Sequence, residues 1–287
     1  MGCESVSTLK KYALRFKIRR LQDLSIMTPC VSSGMPMRTT VLLLLILTFW
    51  GCEQEETVVL DERILADYIE INQALDRTDL IACAGGKPEG LFPDTASYIP
   101  VFFYPVEGAF DFRYFESERV DDILNFTHYQ AKELAEAPVF RGYLRQFINP
   151  VFEGERVGIV TYRTPGKLHV CNPIRLKFNT TPTEINNALL TVEERGTTPT
   201  FSWQDGQIPE NAIYFQVISD LEGNLISGTY TFDRQFTFYN LDNVVLNITD
   251  TTTIPTLSPD QTYRFTMMGV SEDNWINLWV EQEFRTQ

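Results

Sequence analysis

The sequence predicts a mainly β protein: two β-sandwich-like domains in tandem, with a short N-terminal helix and a helical insertion in the first domain. Two patterns and a length carry this expectation. Short runs rich in β-branched and aromatic residues recur from residue 79 to the C-terminus, with polar residues alternating along many of them. Turn clusters such as Gly85-Gly86-Lys87-Pro88 and Thr164-Pro165-Gly166 separate the runs. Setting aside residues 1–51 leaves roughly 235 residues, enough for one large or two modest cores.

Residues 1–36 contain KKYALRFKIRR and no acidic cluster. A basic tail of this kind suits anionic lipid or nucleic acid. Translation from Met35 or Met37 explains it more simply and makes residues 1–36 a start-site artefact. From Met37 the chain runs through Arg38, an apolar core from Val41 to Trp50, Gly51, Cys52 and then Glu53-Gln54-Glu55-Glu56. A secretory signal needs a charged start, an apolar core of roughly 7–15 residues and a small residue before the cut. A membrane-spanning helix needs about 20 apolar residues, so this run is too short to remain as an anchor. Residues 37–51 therefore read as a signal peptide and 52–60 as an acidic tether.

The Gly51-Cys52 junction resembles a bacterial lipobox, and the acidic run after it resembles the export signal of surface lipoproteins of Bacteroidota type. The resemblance implies cleavage before Cys52, acylation of Cys52 and a place on the outer membrane facing the cell surface. Each buried methylene of an acyl chain contributes about 0.8 kcal/mol, so two or more chains hold a protein without a spanning helix. An ordinary signal peptide with a structural Cys52 is the alternative.

Charge narrows the partners. The whole chain carries a formal charge of −14. Residues 1–51 hold seven basic and two acidic residues, so the remainder stands at about −19. A nucleic-acid partner requires basic patches to neutralise phosphate and is not expected. Expected partners are the membrane, through the lipid anchor, and another envelope protein or a glycan. With Cys3, Cys30 and Cys52 accounted for, Cys83 and Cys171 remain as a pair that an oxidising compartment would bridge. Two buried thiols are the alternative. His169 and Cys171 alternate onto one strand face, but no fourth ligand is visible for tetrahedral zinc, so neither a metal nor a cofactor is expected.

Residues 61–178 form the first expected domain. Asp61 to Leu75 reads as a helix from the spacing of Ile64, Leu65, Tyr68, Ile71 and Leu75. Strands are expected in LIACA, YIPVFFYPV, AFDFRYFES, ERVGIVTYR and KLHVCNPIRLK, with a Pro-Gly hairpin joining the last two. The stretch from Asp121 to Ala137 reads as the helical insertion. Asp121 and Asp122 are neighbours pointing different ways, which is not how glycosidase carboxylates converge.

Residues 183–287 resemble a fibronectin type III module of the immunoglobulin-like sandwich group. Thr200 to Trp203 is similar to its B strand, with Phe201 and Trp203 facing in, and AIYFQVIS to its C strand. NVVLNI stands where the E strand is expected, and INLWVEQEF where the G strand is. Leu257-Ser258-Pro259 followed by Tyr263 resembles the tyrosine corner, whose phenol bonds to upstream backbone. The resemblance implies that strands C, F and G share one sheet. Alternation then places Tyr214, Ile218, Met268 and Trp279 on its outer face beside Arg264, an apolar contact patch of the kind that marks interfaces. Docking against the first domain and binding of an external partner are both open. No G-x-S-x-G, H-E-x-x-H or phosphate loop followed by a helix is present past the signal, so no catalytic residues are assigned. The expected role is a non-enzymatic binding, adhesion or structural module. The alternatives are a glycan-binding accessory of a polysaccharide-uptake system, marked by exposed aromatics, and a carboxylate-dependent glycoside hydrolase.

Overall fold

The computed structural model describes residues 59–91, 97–193, 195–249 and 254–287. The leader, the signal peptide and Cys52 lie outside the described residues. One helix, α1 (Leu65–Ile71), precedes ten strands: β1 (Asp76–Leu80), β2 (Ala82–Ala84), β3 (Tyr98–Phe103), β4 (Phe110–Ser117), β5 (Gln130–Lys132), β6 (Ala135–Val139), β7 (Leu144–Pro150), β8 (Arg156–Thr164), β9 (Lys167–Cys171) and β10 (Ile174–Leu176). Nine more follow: β11 (Glu184–Ile185), β12 (Leu190–Glu193), β13 (Thr200–Trp203), β14 (Ile213–Ser219), β15 (Leu225–Thr231), β16 (Gln235–Thr237), β17 (Val244–Asn247), β18 (Thr262–Val270) and β19 (Ile276–Arg285).

These strands form four sheets. Sheet I is β1-β9-β8-β4-β5 with β10 beside β8, and sheet II is β2-β3-β7-β6. Sheet III is β11-β19-β18-β14-β15-β17, and sheet IV is β12-β13-β16. Both halves follow one plan. A short strand runs parallel to the second strand of a late hairpin (β1 beside β9, β11 beside β19), and the next begins the opposite sheet. In the second half, β12-β13-β16 take the places of strands A, B and E, and β19-β18-β14-β15 those of G, F, C and C′, a fibronectin type III-like order. The protein is thus mainly β, with two sandwiches in tandem.

The sheets stack in the order I, II, III, IV. Between I and II, Tyr114, Val160 and Tyr162 meet Val101, Phe103 and Phe147, all buried. On the far side of sheet I, α1 lays Leu65 and Tyr68 over the sheet, with Tyr68 5.5 Å from Phe115. Between III and IV, Phe201 stacks on Phe265 at 4.0 Å, with Trp203, Phe236, Leu278 and Val280 around them. Between II and III, Phe102 and Leu144 meet Phe215, Val217, Tyr230, Met268, Ile276 and Trp279. The two sandwiches are therefore joined face to face by an apolar layer, and Leu60 to Gln287 form one compact unit.

A second interlock comes from the β18–β19 turn. It inserts Trp275, fully buried, into the core of the first sandwich, where Nε1 donates to the Thr181 carbonyl at 2.7 Å. Backbone bonds from Ala84 N to Asn274 O (3.0 Å) and from Arg175 N to Asp273 O (2.9 Å) fix the turn in place.

Local signals explain many of the elements. The β8–β9 hairpin closes at Thr164 and Lys167 through Pro165-Gly166, and Gly166 takes φ 76°, which a side chain would resist. Tyr263 makes the corner: Ser258 N donates to its phenol oxygen at 2.9 Å, and Leu257 is buried beside it.

Four expectations are corrected. The helix spans only Leu65–Ile71, because Ile64 is drawn into a bridge with Gln130 and Ala131 N bonds to Arg63 O. The helical insertion at 121–137 is absent; a 3-10 turn at Phe126–His128 leads into β5 and β6, whose pairings with β4 and β7 outweigh local helix propensity. The E position is filled by β16, while Val244–Asn247 extends sheet III beside β15. Cys83 and Cys171 are free thiols. Ala82, Ala84 and Cys171 belong to the layer between sheets I and II, and alternation turns Cys83 to the other face of β2, toward sheet III.

If the II–III layer makes the two sandwiches one cooperative body, calorimetry of the protein shows a single unfolding transition. Trp279→Ala then lowers stability by about 3–5 kcal/mol without splitting that transition. Two separable transitions, either in the parent or in the variant, would contradict the fused architecture.

Candidate functional site

The expected contact patch divides between two faces. Met268 and Trp279 are cross-strand partners on the outer face of sheet III, as expected, and both are buried under sheet II. Arg264 lies on the same face at its edge, paired with Glu283 at 3.1 Å and Glu281 at 3.5 Å. Tyr214 and Ile218 face the opposite way, into the III–IV core. The register gives the reason: Phe215 is the partner of Met268, so Phe215 and Val217 occupy the outer face and their neighbours turn in. Gln216, which turns inward with Tyr214 and Ile218, is fully buried; its side-chain amide donates to Thr231 Oγ1 at 2.8 Å and to the Tyr214 carbonyl at 3.0 Å. What covers the patch is the first sandwich.

The buried ionisable groups are committed within the fold. Glu116 accepts from Arg156 Nη1 (2.7 Å), Asn149 Nδ2 (2.7 Å) and Tyr114 OH (3.1 Å), which leaves its carboxylate no free role. Burial, with Glu116 beside it, lifts the Tyr114 phenol well above its usual range. His169 stacks on Tyr162 at 4.4 Å and meets Thr164 Oγ1 at 3.0 Å; burial, and then the Lys167 charge, lowers its pKa. His169 and Cys171 share a face as expected, and among the described residues no three His, Cys, Asp or Glu side chains gather to hold a metal. Asp121 pairs with Arg119 and Asp122 with Asn125, both at the surface.

The seam between the sandwiches opens at one end and is capped by hairpin turns at the other. At one end, a groove of about 720 Å³ runs between the β2–β3 loop, the linker and the β13–β14 loop, lined by Lys87, Glu89, Lys177, Glu184, Gln207 and Glu210 with Pro88, Pro182 and Pro209. An adjoining hollow of about 580 Å³ adds Asn211, Ser271, Glu272 and Asp273. Lys177 borders both and pairs with Asp273 at 3.0 Å. Glu184 holds the β13–β14 loop by accepting from Gln207 N at 2.6 Å and from Asn186 Nδ2 at 2.9 Å. Gly206 leaves room for that carboxylate, since a Cβ there would collide with it.

At the other end, the β6–β7 hairpin turns through Phe140, Arg141 and Gly142 at φ 47°, 53° and 96°. Left-handed backbone at a phenylalanine and an arginine costs roughly 1 kcal/mol or more each. The turn seats Phe140, with Tyr104 and Leu225, against the II–III layer, and leaves Arg141 and Tyr143 exposed. At the tip of the β14–β15 hairpin, partial burial raises the Asp220 carboxyl, but hydrogen bonds from Asn224 and Glu222, with a lesser contribution from the Arg141 charge, bring it below its usual range. The Tyr104 phenol is raised by burial first and by nearby Tyr143 second. The groove and the strained hairpin tip both escaped the sequence reading. The groove draws on loops far apart in the chain, and the hairpin tip fell just beyond the expected helical insertion. Arg141-Gly142 was its one local turn signal.

No protein-family model matches the chain, and no curated protein sequence does. Solved structures similar to it include a segment of two fibronectin type III domains from chicken tenascin. It is 11% identical, with a TM-score of 0.28, over 73% of this chain and 98% of that one. The chicken interferon gamma receptor alpha chain is 10% identical, with a TM-score of 0.25, over 72% and 96%. The FN1–FN3 domains of chicken CNTN1 are 8% identical, with a TM-score of 0.27, over 74% and 69%. At scores this low the fold assignment rests on strand order.

Two outcomes follow from these contacts. Burial pushes both thiols up to about 12, Cys171 fully and Cys83 partly enclosed, so at pH 8 both are held as thiols. An aromatic disulfide reagent therefore labels Cys83 and Cys171 only once the protein is unfolded; rapid labelling of the native protein would show the burial to be wrong. Glu184→Ala frees the β13–β14 loop, costing about 1–2 kcal/mol and speeding hydrogen exchange at the Gln207 amide, as read by mass spectrometry.

Proposed function

We propose that the chain is a lipid-anchored protein of the bacterial outer membrane that faces the cell surface and acts as a non-enzymatic binding or structural module. The reading of its address rests on the run from Val41 to Trp50, the Gly51-Cys52 junction and the acidic residues that follow. The reading of its role rests on one observation above the others: the apolar II–III layer makes two sandwiches a single rigid body and uses the patch that would otherwise have invited a partner. A stiff acidic block on a short tether is suited to presenting its seam ends and loops away from an anionic membrane. Buried carboxylate Glu116 is tied up by three donors, which favours a scaffold over a hydrolase.

The address is tested by expressing the full chain in a bacterial host with a lipoprotein pathway and feeding an alkyne-tagged palmitate. Label is expected on the parent and is lost in Cys52→Ser, with the mature N-terminus blocked. An unlabelled parent whose N-terminus lies elsewhere would end the anchored reading.

A further inference from the structure

The groove at the open end of the seam carries more negative charge than its own contacts neutralise. Glu89, Glu184, Glu210, Glu272 and Asp273 line it and its adjoining hollow. Lys87 and Lys177 are the cations there, and each is already paired, with Glu89 at 3.4 Å and with Asp273 at 3.0 Å. Glu184 is half-buried and takes its hydrogen bonds from Gln207 N and Asn186 Nδ2. Glu210 and Glu272 are exposed and make no hydrogen bond or ion pair among the described residues.

The walls between these charges are aliphatic. Pro88, Pro182 and Pro209 stand exposed along the groove, with Ile208 half-buried beside them. An unpaired strand edge adjoins them. Strand β11, which supplies Glu184, is the outer strand of sheet III. Its pairing with β19 continues through Asn186 N, which donates to Trp279 O at 3.2 Å. Alternation therefore turns the N–H and C=O of exposed Ile185 away from β19, and neither finds a partner among the described residues.

The chemistry narrows the occupant. An anion would be repelled by the uncompensated carboxylates. Among the described residues no three His, Cys, Asp or Glu side chains gather to hold a metal ion. A neutral ligand laid over Glu210 and Glu272 would strip them of water and return no counter-charge. A lysine or arginine side chain brings a cation on an aliphatic stem, which suits carboxylates set among prolines. An extended backbone adds the donor and acceptor that the Ile185 edge can pair with.

We propose that the groove docks an extended, lysine- or arginine-rich segment of another protein. Glu210 and Glu272 are its ion-pair partners, the prolines bed the side-chain stems, and Ile185 offers the backbone contact. The proposal rests on the reading of the chain as a binding module and gives that module a partner class.

Fluorescence anisotropy on the full chain tests it, with a labelled octapeptide alternating lysine and threonine and its glutamate-for-lysine counterpart as probes. The lysine peptide is expected to bind, more weakly as salt rises, and the glutamate peptide not at all. Glu210→Gln combined with Glu272→Gln should weaken binding about tenfold at an unchanged melting temperature. Glu107→Gln combined with Glu133→Gln removes the same charge from exposed positions outside the groove and should leave binding intact. Ile185→Pro deletes an outward N–H without touching a bond to β19 and should also weaken it. No binding of the lysine peptide, equal loss in the two double variants, or complete displacement by equimolar spermine would overturn the docked segment. Palmitate labelling is indifferent to each of these results, so failure here is distinguishable from failure of the anchored reading.

Discussion

The apolar layer between sheets II and III is the constraint on which the remaining structure depends. Large side chains from both sandwiches are buried in it, among them Phe102, Leu144, Phe215, Tyr230, Met268 and Trp279. Fully burying a side chain of Leu, Phe or Met type stabilises by roughly 1.5–3 kcal/mol, so even this subset outweighs the polar contacts between the two halves. Trp275 adds a plug from the second sandwich into the core of the first. Inter-domain contacts are usually small and polar, and domains then move; here the joint has the character of a core, and movement is suppressed.

That layer also explains what was legible in the sequence. The second sandwich could be read because its signals are local: Phe201 and Trp203 alternate on β13, and Leu257 to Tyr263 marks the corner. The facing of Met268 and Trp279 followed from that corner. Strand β14 misled because it has no solvent side. Tyr214, Phe215, Val217 and Ile218 are all buried, as is Gln216, whose amide is satisfied inside, so alternation had no exposed face to distinguish. Periodicity identifies a half-buried strand; within a four-sheet stack it loses that power.

The first sandwich shows a different limit. Residues 121–137 carry good helix formers, yet Tyr129 to Lys132 is held by β4 on one side and by the backbone of residues 63–65 on the other. Neither partner is near in sequence, and a local reading cannot weigh them. The cysteines illustrate the same point at the scale of one residue. Cys83 sits between two alanines that face Cys171's layer, so strand geometry alone turns it away, whatever the compartment would permit.

Repetition of one strand plan gives the stack its ends. The outer face of the C′-C-F-G sheet is apolar in both sandwiches. In the second it receives the other sandwich, and in the first it receives α1 with Tyr68 and Leu65. At the opposite end, sheet IV turns Thr191, Glu193, Ser202 and Gln235 outward, all at least partly exposed, and closes the series with polar side chains. With both flat faces finished in this way, the broad apolar surfaces are used up internally. What stays open to solvent is the loop-built groove at one end of the seam, where Lys87 and Lys177 of the first sandwich meet Gln207 and Glu210 of the second.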